Sequence, residues 1–383
     1  MTNPIISQDD PRYQRCSRTV MDNIADPDIR FDEEGVSNYA REFHAHYREN
    51  IPENPEQVLE KTIAEIREKG KGKPYDCLTG ISGGVDSSYM ILKAKDWGLR
   101  PLIVHFDNGW NSEIAVRNIK NIIKVTGFDL DTLVVDWEEF RDLQLSYIKA
   151  GVVDLEVPTD HAIYATWYKL ARKFKIDHVL SGNNYITESI MPPSWIFNKA
   201  DAVNLTAIHE RFGTKPFKTY PVLHTERQAI YQALLNIKTV KPLNLIPYRK
   251  DEAKQELATR GGWADYGGKH YESFYTKFYQ AYILPRKFHI DKRKAHLSNL
   301  ILSGEITREM ALEELAKPLY GEKELREDVE YFTKKLGITP AFFEQYLDAP
   351  RQEHRSYGVQ RPIKERYPLL KALTPLYKML KGK

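Results

Sequence analysis

Between positions 82 and 88 the chain reads Ser-Gly-Gly-Val-Asp-Ser-Ser, two glycines, three hydroxyls and one acid within seven residues. Backbone N–H groups left open at the start of a helix bind an anion without any basic side chain. Gly83 and Gly84 let the backbone approach that anion, and Ser82, Ser87 and Ser88 add donors. Asp86 would repel a polyphosphate unless a divalent cation lies between them, so it is expected as a Mg²⁺ ligand. The chemistry is that of holding a metal-bound phosphate chain. An ordinary helix cap would need only one Ser or Asp.

Such a loop needs a strand before it and a helix after it. Residues 75–81 read as a short buried strand, and Met90, Ile91 and Ala94 recur at helical spacing after Asp86. No Lys follows the glycines, which excludes the GxxxxGK[ST] nucleotide loop. Upstream, residues 55–71 form an amphipathic pattern carrying Val58, Leu59, Ile63 and Ile66. Downstream the pattern alternates: strand 101–110, helix 112–126, strand 130–137, helices 138–149 and 161–173, strand 177–184. Near-continuously apolar strands alternating with amphipathic helices predict an α/β fold, a parallel sheet with helices on both faces. In such sheets ligands sit at the carboxyl ends of the strands. Three polar loops then converge, at 82–88, 106–110 and 181–184, followed by the proline-broken stretch 188–195. Residues 246–248 end a further strand-like run, 250–260 is a charged helix, and the aromatic segment 261–288 leads into a helix beginning near Glu272. Residues 294–383 read as short charged helices.

Composition narrows the class. A net charge of +3 over 383 residues gives no footprint for nucleic acid, although a local basic patch is compatible with it. Cys16 and Cys77 cannot build a disulfide framework, there is no apolar leader, and no apolar run is long enough to span a bilayer. The expectation is a soluble cytoplasmic enzyme.

The loop Ser82 to Ser88 resembles the signature of the PP-loop ATP pyrophosphatases, which cleave ATP between its α and β phosphates and adenylate an oxygen of a second substrate. Five stretches resemble one branch, the N-acetyl sugar amidotransferases of lipopolysaccharide O-antigen biosynthesis: the loop itself, DNGWNSE (107–113), PTDHAI (158–163), SGNN (181–184) and GGKHYES (267–273). The resemblance spans roughly residues 15 to 300. It implies an adenine-nucleotide-hydrolase-like sheet with ATP and Mg²⁺ as cofactors. His105, Phe106 and Asp107 would line the nucleoside, and Gly182 with Asn183 would border the α-phosphate. Asp160 and His161 would face the reaction alongside Lys269. Asn184, Glu188, His270 and Glu272 would meet the acceptor sugar. Read as residues alone, Asp107-Asn108-Gly109 is equally an ordinary turn, and Thr159 or Asp160 equally a helix cap.

Residues 15–43 resemble that family's N-terminal four-cysteine segment, but only Cys16 remains. The other three positions hold Thr19, Ser37 and Ala40, which supply no thiolates, so neither zinc nor an iron–sulfur cluster is expected. The expected division is an extended N-terminal segment 1–54 with the degenerate cysteine motif, an ATP pyrophosphatase domain 55–250 and a mainly helical region 251–383 that completes the site. The implied reaction converts an acetamido group of a nucleotide-linked sugar into an acetamidino group. No glutaminase nucleophile is evident, so separate glutaminase and cyclase-like subunits are expected to supply ammonia. A tRNA-modifying adenylase, or a non-catalytic adenine-nucleotide-binding module, are the alternatives.

Overall fold

The computed structural model describes residues 7–224, 226–228, 230, 231, 237–267, 271–361 and 365. The helices in chain order are α1 (Asn38–Asn50), α2 (Pro55–Gly70), α3 (Val85–Asp96), α4 (Glu113–Thr126), α5 (Trp137–Ala150), α6 (Val157–Phe174), α7 (Tyr185–Glu188), α8 (Ala202–Phe212), α9 (Lys250–Gly261), α10 (Phe274–Phe278), α11 (Leu284–Phe288), α12 (Arg293–Leu302), α13 (Arg308–Ala316), α14 (Glu322–Leu336) and α15 (Pro340–Asp348). The strands are β1 (Cys77–Gly80), β2 (Pro101–Asp107), β3 (Leu130–Val134), β4 (His178–Leu180) and β5 (Lys238–Val240).

Successive side chains of a strand point to opposite faces, and here both faces are covered. From β1, Cys77 joins Met90 of α3, Ile122 of α4 and Leu257 of α9 in one cluster. Its neighbour Leu78 joins Leu102, Val179 and Leu170 of α6 in another, on the opposite face. The sheet is parallel throughout, in the order β3-β2-β1-β4-β5, with Leu78 opposite Leu102 on one side and Val179 on the other. The chain winds outward through β2 and β3, then returns to the far side of β1. The order therefore reverses between β1 and β4, the crevice where open α/β sheets bind ligands.

A third and larger cluster lies beside the sheet. Met21, Ala25 and Tyr39 meet Phe140 and Tyr147 of α5, Leu205 of α8, and Phe278, Phe332 and Phe343 of the C-terminal helices. Residues from all three stretches 1–54, 55–250 and 251–383 thus share one core. In the N-terminal stretch, the Ser37 N–H donates to the Cys16 sulfur at 3.2 Å, and Arg308 donates to the Thr19 carbonyl at 3.0 Å. Cys16, Thr19, Ser37 and Ala40 are all buried. Burial raises the Cys16 thiol pKa, but hydrogen bonds from Ser37 and Thr19 outweigh it, and the net shift is downward.

Several expectations need correction. The N-terminal stretch is not simply extended. Asn38–Asn50 is a helix whose buried stripe is only Tyr39, Ala40 and Phe43, too narrow to show as periodicity, and it starts at a Ser37 cap. Residues 246–248 form no strand, because Pro242 and Pro247 remove ladder donors and the buried Leu243 and Leu245 sit in or beside a 3₁₀ turn. The edge strand is instead Lys238–Val240, largely exposed and without apolar alternation. Helix α6 begins at Val157, with Pro158 in its first turn, so Thr159 and Asp160 lie inside the helix rather than at its cap.

Candidate active site

Gly83 has φ +85°, and a Cβ there would stand 2.6 Å from the Ala115 carbonyl, so only glycine lets the loop lie this close to α4. The turn is also bonded to itself. The Gly84 N–H donates to Ser82 Oγ at 3.2 Å, and the Ser82 and Ser87 hydroxyls are 3.2 Å apart. Across the crevice, a Cβ on Gly182 would stand 3.2 Å from backbone atoms of Asp86 and Ser87, so the β1 and β4 loops touch at the switch point.

Residues 263–266 brace the loop from its other side. The Trp263 indole donates to the Gly83 carbonyl at 2.9 Å, and the Val85 N–H donates to the Tyr266 hydroxyl at 3.2 Å. Asn118 and Ala264 exchange two hydrogen bonds of 2.8 Å. Tyr248 donates to the Asp86 carboxylate, and burial followed by that carboxylate's charge pushes the phenol pKa far up. The chain next crosses the β2–α4 loop. The Ser112 N–H donates to the Glu272 carbonyl at 2.9 Å, and the Phe274 N–H to the Trp110 carbonyl at 2.8 Å. This pairing places a Glu272 carboxylate oxygen 3.2 Å from where a Cβ on Gly84 would be.

All of this opens into one cavity of about 1280 Å³, larger than the roughly 300–1,000 Å³ of a single small-molecule pocket. Ser82, Gly84, Asp86, Ser87, Gly182, Asn183, Glu188 and Glu272 line it, as do His105, Phe106 and Asp160. His105 faces the Ile81 carbonyl at 2.9 Å with Nδ1 and the Asn111 amide at 3.2 Å with Nε2. Only an Nδ1–H tautomer satisfies both contacts. Asp160 contacts Lys199 Nζ at 3.1 Å, and Lys199 also holds the buried Asp154 at 2.6 Å. The Asp160 side chain keeps 40% of its surface open, yet its pKa is raised, by burial first and against the pull of Lys199. The two facts agree if its open face looks into the cavity rather than into bulk water.

Other expected site residues are used differently. His161 is fully buried and does not line the cavity. Its Nδ1 donates to the Lys199 carbonyl at 2.9 Å and its Nε2 accepts the Leu223 N–H at 3.0 Å, and burial lowers its pKa. With both nitrogens committed to backbone, it is a clasp. Asn184 is likewise buried; its Oδ1 caps α7 by accepting the Thr187 N–H at 2.9 Å. Asp107 accepts the Gly109 N–H at 3.0 Å and the Asn111 amide at 3.2 Å, an Asx turn that shapes the loop from outside the cavity lining. Ser88 Oγ is buried on α3 and has no partner among the described residues, while Ser87 faces the cavity. Lys269 and His270 lie outside the described residues. Sequence reasoning missed Tyr248, Trp263, Tyr266 and Asn118. The aromatic richness of 261–288 was the one available signal. Among the described residues no group of three or more His, Cys, Asp or Glu is placed to hold a metal, and no helix is long and apolar enough to cross a membrane.

Residues 272–372 match the family model described as the LPS biosynthesis protein WbpG-like C-terminal domain. This stretch is similar to a WbpG-like C-terminal domain, and the match begins at Glu272, the residue poised over Gly84. No curated protein sequence matches the chain. Among solved structures, NMN synthetase from Francisella tularensis is similar at 12% identity, TM-score 0.29, over 54% of this chain and 87% of that one. The NH3-dependent NAD synthetase from Campylobacter jejuni subsp. jejuni NCTC 11168 is similar at 16% identity, TM-score 0.30, over 54% and 84%. A predicted subunit of tRNA methyltransferase from Methanocaldococcus jannaschii DSM is similar at 14% identity, TM-score 0.26, over 48% and 75%.

Proposed function

We infer that the protein is an ATP-dependent amidotransferase. It joins AMP to the acetamido oxygen of a nucleotide-linked N-acetyl sugar and replaces that oxygen with ammonia, giving an acetamidino sugar for lipopolysaccharide O-antigen. One observation carries the reading: the WbpG-like stretch starts directly over a phosphate-binding loop, and both line one cavity with room for two substrates. An amide oxygen is a poor leaving group, which explains why a sugar-modifying enzyme would carry a phosphate loop.

In the first step the acetamide oxygen attacks the α-phosphorus of ATP, pyrophosphate leaves, and the amide nitrogen loses its proton, giving an O-adenylyl imidate. Ammonia then adds to the imidate carbon, the C–O bond breaks, AMP departs, and one proton from the added nitrogen is released. The start of α3, with Ser82 and Ser87, receives the pyrophosphate. His105 and Phe106 border the nucleoside, and Gly182 and Asn183 the α-phosphate. Asp160 takes the proton from the adding nitrogen, its raised pKa suiting it to that exchange. Glu188 and Glu272 face the acceptor, and Lys269 and His270 complete its charge balance. Mg²⁺ holds phosphates through one or two carboxylates rather than an all-protein cage. Asp86, with Glu272 across the loop, fits that donor set, and the ion there would neutralise the departing pyrophosphate. Ammonia comes from a separate glutaminase subunit working with a cyclase-like subunit, in the cytoplasm where ATP and nucleotide sugars are made.

The test is to incubate the protein with ATP, Mg²⁺, ammonium chloride and a panel of UDP-linked diacetamido sugars. Sugar-dependent pyrophosphate release, with a product in which one O is replaced by NH, supports the reading. ATP binding without pyrophosphate release on any acceptor would leave a nucleotide-binding module.

A further inference from the structure

Behind the phosphate loop lies a second cavity, of about 390 Å³, at the junction of α1, α2, α7 and the α12–α13 turn. Tyr47, Glu56, Ile186, Tyr248, Ser303 and Glu305 line it. Tyr248 is the partition. It lines this second cavity, while its hydroxyl donates to Asp86, which lines the main one. The short helix α7 straddles the same divide, with Ile186 on the second cavity and Glu188 on the main one. Tyr248, together with α7, therefore stands between a surface recess and Asp86 of the main cavity.

We propose that this second cavity is the entrance for the nitrogen donor: ammonium collects among Glu56, Glu305 and the rings of Tyr47 and Tyr248, gives up a proton, and passes Tyr248 as ammonia. The proposal rests on the amidotransferase reading above. Carboxylates attract the cation, and tyrosine faces bind it through their quadrupole. The proton goes to the Glu305 carboxylate and from there to water at the mouth. Burial raises the Glu305 pKa against the hydrogen bond from Ser303 at 3.3 Å, which brings it closer to a proton acceptor's range. Arg249 at the rim lowers it in turn and limits how long the proton is held. A separate entrance also solves a conflict of charge. An ammonium ion entering through the main cavity would compete with Mg²⁺ at Asp86, whereas neutral ammonia arriving past Tyr248 does not.

Ser303→Trp and Ile51→Trp each fill the recess without touching the main cavity lining. In both variants the KM for ammonium is expected to rise by about tenfold or more, while sugar-dependent ATP–pyrophosphate exchange, which needs no ammonia, stays within about twofold of the parent. Glu305→Gln, which removes charge but little volume, is expected to raise the ammonium KM about threefold. A folded Trp variant, checked by circular dichroism, with the parent ammonium KM and normal exchange overturns the entrance. If both Trp variants fail to fold, an unchanged ammonium KM in Glu305→Gln overturns it instead. Absence of exchange in the parent protein with every acetamido sugar overturns the amidotransferase reading, a result distinguishable from either of these.

Discussion

Residues 82–88 and residues 158–161 are both short polar strings at the start of a helix, and the fold treats them in opposite ways. In the first, glycines leave no side chain to fill the turn, the Ser82 and Ser87 hydroxyls bond to one another and to backbone groups of the same loop, and the loop faces an open cavity. In the second, Thr159 and Asp160 reach that cavity while His161, the next residue, turns inward and spends both nitrogens on backbone groups of distant segments. A polar residue near a helix start is thus free for chemistry only where nothing else in the fold needs its hydrogen bonds. His354 is likewise turned inward: its Nδ1 faces the Asn204 side-chain Oδ1 at 3.0 Å and its Nε2 accepts the Asp154 N–H at 3.3 Å.

The largest effect should come from the open string. Asp86→Ala is expected to lower turnover by at least about 10²-fold, since the residue is assigned to charge neutralisation at the pyrophosphate, while loss of the acceptor for the Tyr248 hydroxyl costs only about 1–3 kcal/mol of stability and leaves the protein folded. Full activity in that variant would remove the distinction between the two strings.

Acid titration reports on the inward histidines. Burial lowers the His161 pKa and pulls that of His354 from 6.5 to about 4. Because the folded pKa values lie below the unfolded ones, the unfolded chain binds protons first as pH falls. Stability is therefore complete above about pH 6.5 and is lost progressively toward pH 4, by roughly 3 kcal/mol for His354 alone. Urea midpoints measured across that range should fall, and a His354→Gln variant should flatten the slope. A flat profile in the parent protein would mean that these rings are not held neutral.

His161→Ala leaves the Leu223 N–H and the Lys199 carbonyl without their partner, and should cost about 2 kcal/mol or more of unfolding free energy. Any loss of turnover should follow that loss of stability and be recovered at lower temperature. A variant of parental stability but low kcat would return His161 to the chemistry.

The smallest contrast lies within the loop. Ser87→Ala should raise the KM for ATP, whereas Ser88→Ala removes a buried hydroxyl that has no partner among the described residues and should change stability by less than about 1 kcal/mol, with KM unchanged. Equal effects would show that Ser88 also reaches the phosphates.

The glycine turn at 82–88 and the alternation of strands and helices were legible because each depends on residues close in sequence, and of the loops expected to converge, 106–110 and 181–184, residues 106, 108 and 181–183 do line the cavity. A Gly-Gly turn, a 3.6-residue period and a strand end are local properties. Part of what misled has its partners far away, as His161 does in Lys199 and Leu223; the rest lay nearer at hand. Asp107 could be a turn or a ligand, and the choice fell to Asn111 and Gly109 once the loop closed. Helix α1 hid because only Tyr39, Ala40 and Phe43 are buried, and β5 hid because an exposed edge strand carries no apolar alternation.

By itself, then, the sequence determined that a strand would lead through a glycine turn into a helix start carrying Asp86, since backbone geometry and residue type suffice for that. Only the tertiary structure decided that Trp263, Tyr266 and Tyr248 would brace that loop, that Glu272 would lie over Gly84, and that His161 would turn away. Each of those outcomes is a hydrogen bond or close contact between residues tens to nearly two hundred positions apart. Such pairings exist only after the sheet order has reversed between β1 and β4 and the helices have closed around it.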